Sequence, residues 1–203
     1  MNKNTILIAT ITLGLGIISG LVYSQSQKND YPPRNNQIPS NNMNHMGHMM
    51  SGSMHDMMMV KSERAFLEGM IPHHQEAIDT AKEVLARGAT TPALKTLAQN
   101  IITAQEAEIA SMKTWYQDWY NEPYQDKNTY MPMMRDLTTL SGAALDTVFL
   151  EDMIMHHMGA IMMAQSVEPH LEHQEMETLT TNIVTTQSAE IEQMKEILTT
   201  LPK

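Results

Sequence analysis

The residues best equipped for chemistry in this chain are methionine and histidine, 21 and 9 of them against no cysteine. They gather in three kinds of place. The stretch NNMNHMGHMMSGSMHDMMM, residues 41–59, interleaves Met43, Met46, Met49 and Met50 with His45 and His48, then adds Met54, His55, Met57, Met58 and Met59. The blocks MIPHH (70–74) and MIMHH (153–157) each set a methionine three residues before two consecutive histidines. Met155, Met158 and Met162 recur at helical spacing.

A thioether is a soft donor that selects Cu(I), and the chemically similar Ag(I), over harder divalent ions. It has no proton to lose, so its binding persists in acid, and it forms no disulfide, which makes it a durable substitute for cysteine outside the cytosol. Imidazole suits Cu(II), with Ni(II) and Zn(II), and protons compete below about pH 6.5. A segment mixing the two can hold copper in both oxidation states. The absence of cysteine excludes disulfides, thiolate zinc sites, cysteine nucleophiles and a lipid-modified cysteine. A formal net charge of −10 without a basic patch argues against nucleic acid and anionic membranes and favours cations, although such charge also serves solubility.

Several elements must position these donors. Residues 1–24 place one lysine before an apolar run and small residues, the pattern of a secretory signal; an uncleaved anchor is the alternative, and the only expected membrane contact. The remainder is then periplasmic or extracellular. Residues 25–60, rich in Asn, Ser, Gln, Pro, His and Met, cannot bury enough surface to order themselves and read as a flexible tail. Beyond the tail the chain repeats: FLEGMIPHHQEAIDTA (66–81) matches FLEDMIMHHMGAIMMA (149–164), and LAQNIITAQEAEIASMK (97–113) matches LTTNIVTTQSAEIEQMK (179–195). Two helical hairpins, 61–121 and 143–203 around a linker at 122–142, predict an all-α, ferritin-like four-helix bundle. The helices are expected at 61–87, 92–120, 143–167 and 171–200, with Pro72 kinking the first or marking a late start.

At about 100° per residue, His74 falls near the centre of the first helix's apolar face and His73 at its edge; His157 and His156 repeat this. Folding each hairpin brings His74 level with Gln105 and Glu108, with Met70 nearer Met112. The second copy gathers His157, Gln187, Glu190, Met153 and Met194. Buried polar groups must pair with each other or with an ion. Both readings stand: a His–Gln–Glu brace, or a metal site whose ligand imidazole is fixed by Glu108 or Glu190. The Met155, Met158 and Met162 stripe lies opposite the core face, either as metal ligands or as an adaptable docking surface. MPMM (131–134) could plug the end of the bundle, and His170, His173 and Met176 mark a solvated helix start.

MIPHH, MIMHH, QEAEIASMKTWY (105–116) and QSAEIEQMK (187–195) resemble the exported ferritin-like family of domain of unknown function 305. The resemblance covers about 61–200. It implies a four-helix bundle that binds copper in the periplasm and supports copper tolerance. Met70, His73, His74 and Met112 match its motif, as do Met153, His156, His157 and Met194. The expected function is non-enzymatic: sequestering or carrying copper, with a copper export or transport protein as partner. One alternative is an envelope interaction module. Another is a di-metal oxidase, but such sites want Glu-x-x-His on two helices, and Met70, Ile71, Met153 and Ile154 stand where those glutamates belong.

Overall fold

The structure, a computed structural model, describes residues 58–201. The signal-like stretch lies outside the described residues, as do Met43, His45, Met46, His48, Met49, Met50, Met54, His55 and Met57 of the tail. Four long helices make up the described chain: α1 Glu63–Arg87, α2 Pro92–Tyr120, α3 Gly142–Val167 and α4 Gln174–Thr200, with a 3-10 turn Glu168–His170 before the last. Their boundaries follow local chemistry. The Ser62 hydroxyl accepts from the Ala65 N–H at 3.1 Å and starts α1. Thr91 caps α2 by accepting from Leu94 N–H at 3.2 Å, with Pro92 in the first turn, where a missing N–H costs nothing. α1 begins well before Pro72 and continues past it, so the late start does not occur. α4 begins at Gln174 rather than 171, because the 3-10 turn through Pro169 uses the intervening chain. Among the described residues no helix is long and apolar enough to cross a membrane.

α1 packs along α2 and α3 along α4, and the two hairpins meet chiefly through α1 against α3. Phe66, Leu67, Phe149, Leu150, Leu94 and Ile101 are fully buried at the centre. Each such side chain contributes about 1.5–3 kcal/mol on leaving water. The α1–α3 seam turns the flank of each hairpin into the middle of the bundle.

Loops are pinned by buried carboxylates. At the α1–α2 turn, Asp146 accepts from Ala89 N–H (2.7 Å), Thr90 N–H (2.8 Å) and the Thr90 hydroxyl (2.5 Å). A Cβ on Gly88 would stand 2.6 Å from the Asp146 carboxylate, so this turn requires glycine. The linker crosses the flank of the bundle at the midpoint of α1, where Glu76 accepts from the Met133 and Met134 N–H groups. MPMM therefore covers a side of the bundle and does not plug its end. Met134 is buried while Met131 is exposed.

At the opposite turn Glu63, 4% exposed, accepts from Glu172 N–H (2.7 Å), His173 N–H (2.9 Å) and the His173 ring at Nδ1 (2.6 Å). The His173 ring lies flat on Trp119, centres 3.7 Å apart. This corrects the expectation of a solvated start for His173 and for Met176, which is fully buried; His170 is exposed. Burial pushes the Glu63 carboxyl up, but the His173 ring and the two N–H groups outweigh it and hold the carboxyl below its usual value. A carboxyl lowered on folding adds stability above its unfolded pKa of about 4.3 and loses it as pH falls through the folded value. Glu63→Gln is expected to cost about 1–3 kcal/mol at neutral pH and to flatten the acid limb of stability. Urea unfolding of both proteins at neutral and acid pH checks this, and parallel pH profiles would refute it.

Candidate metal centre

Four histidines occupy the seam, and all four are fully buried. His73 and His74 lie side by side on α1, His156 and His157 at the matching place on α3. Because α1 packs on α3, His73 meets His156, ring centres 3.6 Å apart and tilted by 33°. His74 and His157 turn into their own hairpins, where Nε2 lies 2.7 Å from Glu108 and 2.8 Å from Glu190 respectively. The result is a row, His74–His73–His156–His157, with neighbouring centres 6.2 Å apart on α1 and 6.4 Å on α3. The central placing of His74 and His157, each against its carboxylate, agrees with the sequence. The edge positions of His73 and His156 lie where one hairpin contacts the other, which buries them fully.

Both ring nitrogens of His73 and His156, and Nδ1 of His74 and His157, find no hydrogen-bond partner in the protein; neither do the side-chain oxygens of Gln105 and Gln187. Buried polar groups are almost always paired, and each exception costs about 1–3 kcal/mol. A carboxylate only accepts, so in neutral His74 and His157 the proton sits on Nε2 and the lone pair on Nδ1. That is how a carboxylate behind a metal-bound imidazole fixes its tautomer. Burial, reinforced by the charges its histidine neighbours would carry, holds His73 well below its usual range. Burial lowers His156 too, against the opposing pull of Glu76. Among the described residues no group of three His, Asp or Glu side chains is arranged to hold a metal ion. The row therefore offers nitrogens in pairs, which suits soft monovalent ions that accept low coordination.

Glu76 is the residue whose part the sequence did not reveal. It is 7% exposed and accepts from the Tyr130 hydroxyl at 2.6 Å and from Met133 and Met134 N–H, each at 3.1 Å. Its Oε2 lies 3.5 Å from His156 Nε2, long for a hydrogen bond but close for a charge. Burial raises its carboxyl, and the His156, Tyr130 and Met133 contacts together bring it below its usual value. One signal was available: Glu76 aligns with Gly159 inside blocks that otherwise keep the histidines in step.

The family model for a domain of unknown function, DUF305, matches residues 16–116 and 63–198. The chain belongs to the DUF305 family. Three solved structures of one protein, CopM, are similar to it. CopM in its Cu(I)-bound form is 42% identical, with a TM-score of 0.63 over 70% of this chain and 98% of that one. The Cu(II)-bound form gives 40% and 0.64 over 70% and 99%. The Ag-bound form obtained by soaking gives 41% and 0.62 over 70% and 98%. No curated protein matches the chain significantly.

In this DUF305 chain Met70, Met112, Met153 and Met194 are all fully buried in the core that holds the histidine row. The α3 stripe divides. Met155 and Met158 are 48% and 46% exposed, whereas Met162 is partly buried and packs against the core. The end of the tail also divides. Met59 is exposed but Met58 is buried, which corrects its assignment to a flexible segment. Ser166 holds it there, accepting from Val60 N–H at 3.0 Å and placed 3.1 Å from the Met58 carbonyl, to which it can donate.

Proposed function

We propose that this protein is an exported, non-catalytic copper-binding protein that stores or carries the ion, with Cu(I), or Ag(I) in its place, held in the buried histidine row. The observation that carries the reading is the set of six histidine nitrogens without a protein partner. Two imidazoles on opposite sides of one ion, each bound at about 2 Å, stand about 6 Å apart between ring centres. The separations of 6.2 and 6.4 Å within His73–His74 and His156–His157 suit one ion per pair. CopM, similar over nearly its whole length, has been crystallised with Cu(I), Cu(II) and Ag. The matching hairpins read as two copies of one ancestral unit, each with its own His–His–Glu set. The Met and His residues of 41–57 add outer sites for both copper oxidation states, and the periplasm or extracellular space is where methionine replaces cysteine to advantage. A copper export or transport protein would take the ion at the exposed Met155 and Met158.

Anaerobic titration of the full chain with Ag(I) or Cu(I) is expected to give two ions resistant to a competing chelator and further, weaker ones. Deleting 41–57 should remove weak sites and spare the tight pair. Binding no stronger than that of a methionine-poor control protein would refute the reading.

A further inference from the structure

The hairpins correspond through the histidine blocks, but Glu76 of the first faces Gly159 of the second. Glu76 reaches across the seam to Nε2 of His156. By the same geometry Gly159 lies beside Nε2 of His73, which is 3.4 Å from the point a Cβ on Gly159 would occupy. Glycine brings no carboxylate there. Two methionines come instead: Sδ of Met58 is 3.4 Å, and the methyl of Met133 3.2 Å, from that same point. They arrive from separate segments, Met58 fastened through Ser166 and Met133 through its N–H to Glu76. His73 Nε2 is fully buried and has no other partner.

We infer that Met58, Met133 and Nε2 of His73 form an inlet beside Gly159 for a soft monovalent cation, Cu(I) or Ag(I), through which it passes from surface thioethers to the histidine row. Two thioethers and an imidazole are the donors such an ion prefers. The surroundings supply a path. The exposed large apolar side chains of the described residues are Met59, Met131, Met155 and Met158. Met59 adjoins Met58, Met131 precedes Met133 by two residues, Met158 adjoins Gly159, and Met155 lies one helical turn before it. Transfer is ligand substitution: a metal–sulfur bond breaks as a metal–nitrogen bond forms, with no change of oxidation state. A neutral imidazole has one lone pair, so His73 serves the inlet or its pairing with His74, never both. The inlet is a station on the way and not a resting site.

This rests on the histidine row being the copper site, and the test separates the two. Full-length protein is mixed anaerobically with a coloured Cu(I)–chelator complex, and the decay of colour is followed together with the final occupancy. The tail is common to all variants, so differences report the core phase. Met58→Leu with Met133→Leu keeps the packing and removes both sulfurs. Gly159→Ala fills the meeting point, and its closest contact is the far end of a flexible side chain, so the fold is kept. Both variants are expected to load the core about tenfold more slowly and reach wild-type occupancy. Wild-type rates in both would overturn the inlet alone, as would loss of the tight ions from the double variant, which would make the sulfurs resting ligands. A wild-type core that takes no tight ion would overturn the copper reading and the inlet with it.

Discussion

Replacing His73 and His156 together with leucine is expected to raise the melting temperature of the metal-free protein and to abolish its stabilisation by Ag(I). The first half follows from the four ring nitrogens that these residues bury without hydrogen bonds. Apolar side chains of similar size leave nothing unsatisfied, and such exchanges gain about 1–4 kcal/mol when the replaced polar group is poorly compensated. In a domain of this size that is several degrees, at roughly 2–4 °C per kcal/mol. The second half follows from linkage: an ion present at a thousand times its dissociation constant stabilises the folded state by about 4 kcal/mol, or roughly 8–16 °C. Each pair loses a member in the variant, so neither can hold an ion between two imidazoles. Thermal unfolding by circular dichroism, with and without Ag(I), reads both effects. A variant that melts lower without metal and still gains the full shift with Ag(I) would make the row a structural brace.

Glu76→Ala is expected to cost about 3–5 kcal/mol, because it leaves three donors without their acceptor and takes a carboxylate from beside a buried histidine. The loss should be local as well as global. The Met133 and Met134 amides, which donate to Glu76, should lose hydrogen-exchange protection, while the caps of α1 and α2 keep theirs. Glu76→Gln retains an acceptor and should recover part of the loss. Unchanged protection at Met133 and Met134 in the alanine variant would show that the linker is held by other contacts, such as the Arg135 pairs with Glu151 and Asp152.

The helices were legible because their signals are local. Ser62, Thr91-Pro92 and a 3.6-residue apolar period need no knowledge of the rest of the chain. The pairing of His74 with Glu108, and of His157 with Glu190, was legible because a short turn fixes the register of a hairpin. The partner of each hairpin was not. Periodicity shows which face of α1 is apolar but not that its flank meets α3, and that contact turned His73 from an edge residue into half of the central stack. His173 was misjudged for a related reason: its ring is covered by Trp119 and its Nδ1 held by Glu63, residues 54 and 110 positions away in sequence. The exposed methionines of α3 were legible as outward-facing, but Met58 and Met133 could not be placed beside them, since neither lies in a periodic segment.

The contact between His73 and His156 joins one hairpin to the other, while each of these residues also belongs to a pair inside its own hairpin. An ion bound by either pair therefore acts on a side chain whose other face is the join. Cargo affinity and cohesion of the two halves draw on one shared free energy, and coupling of that kind is reciprocal. If the row holds copper as proposed, whatever eases the hairpins apart would weaken the grip on it by the same factor by which copper would tighten the bundle. On the proposed reading the protein would be riveted by what it carries, and unloading it would go with loosening it.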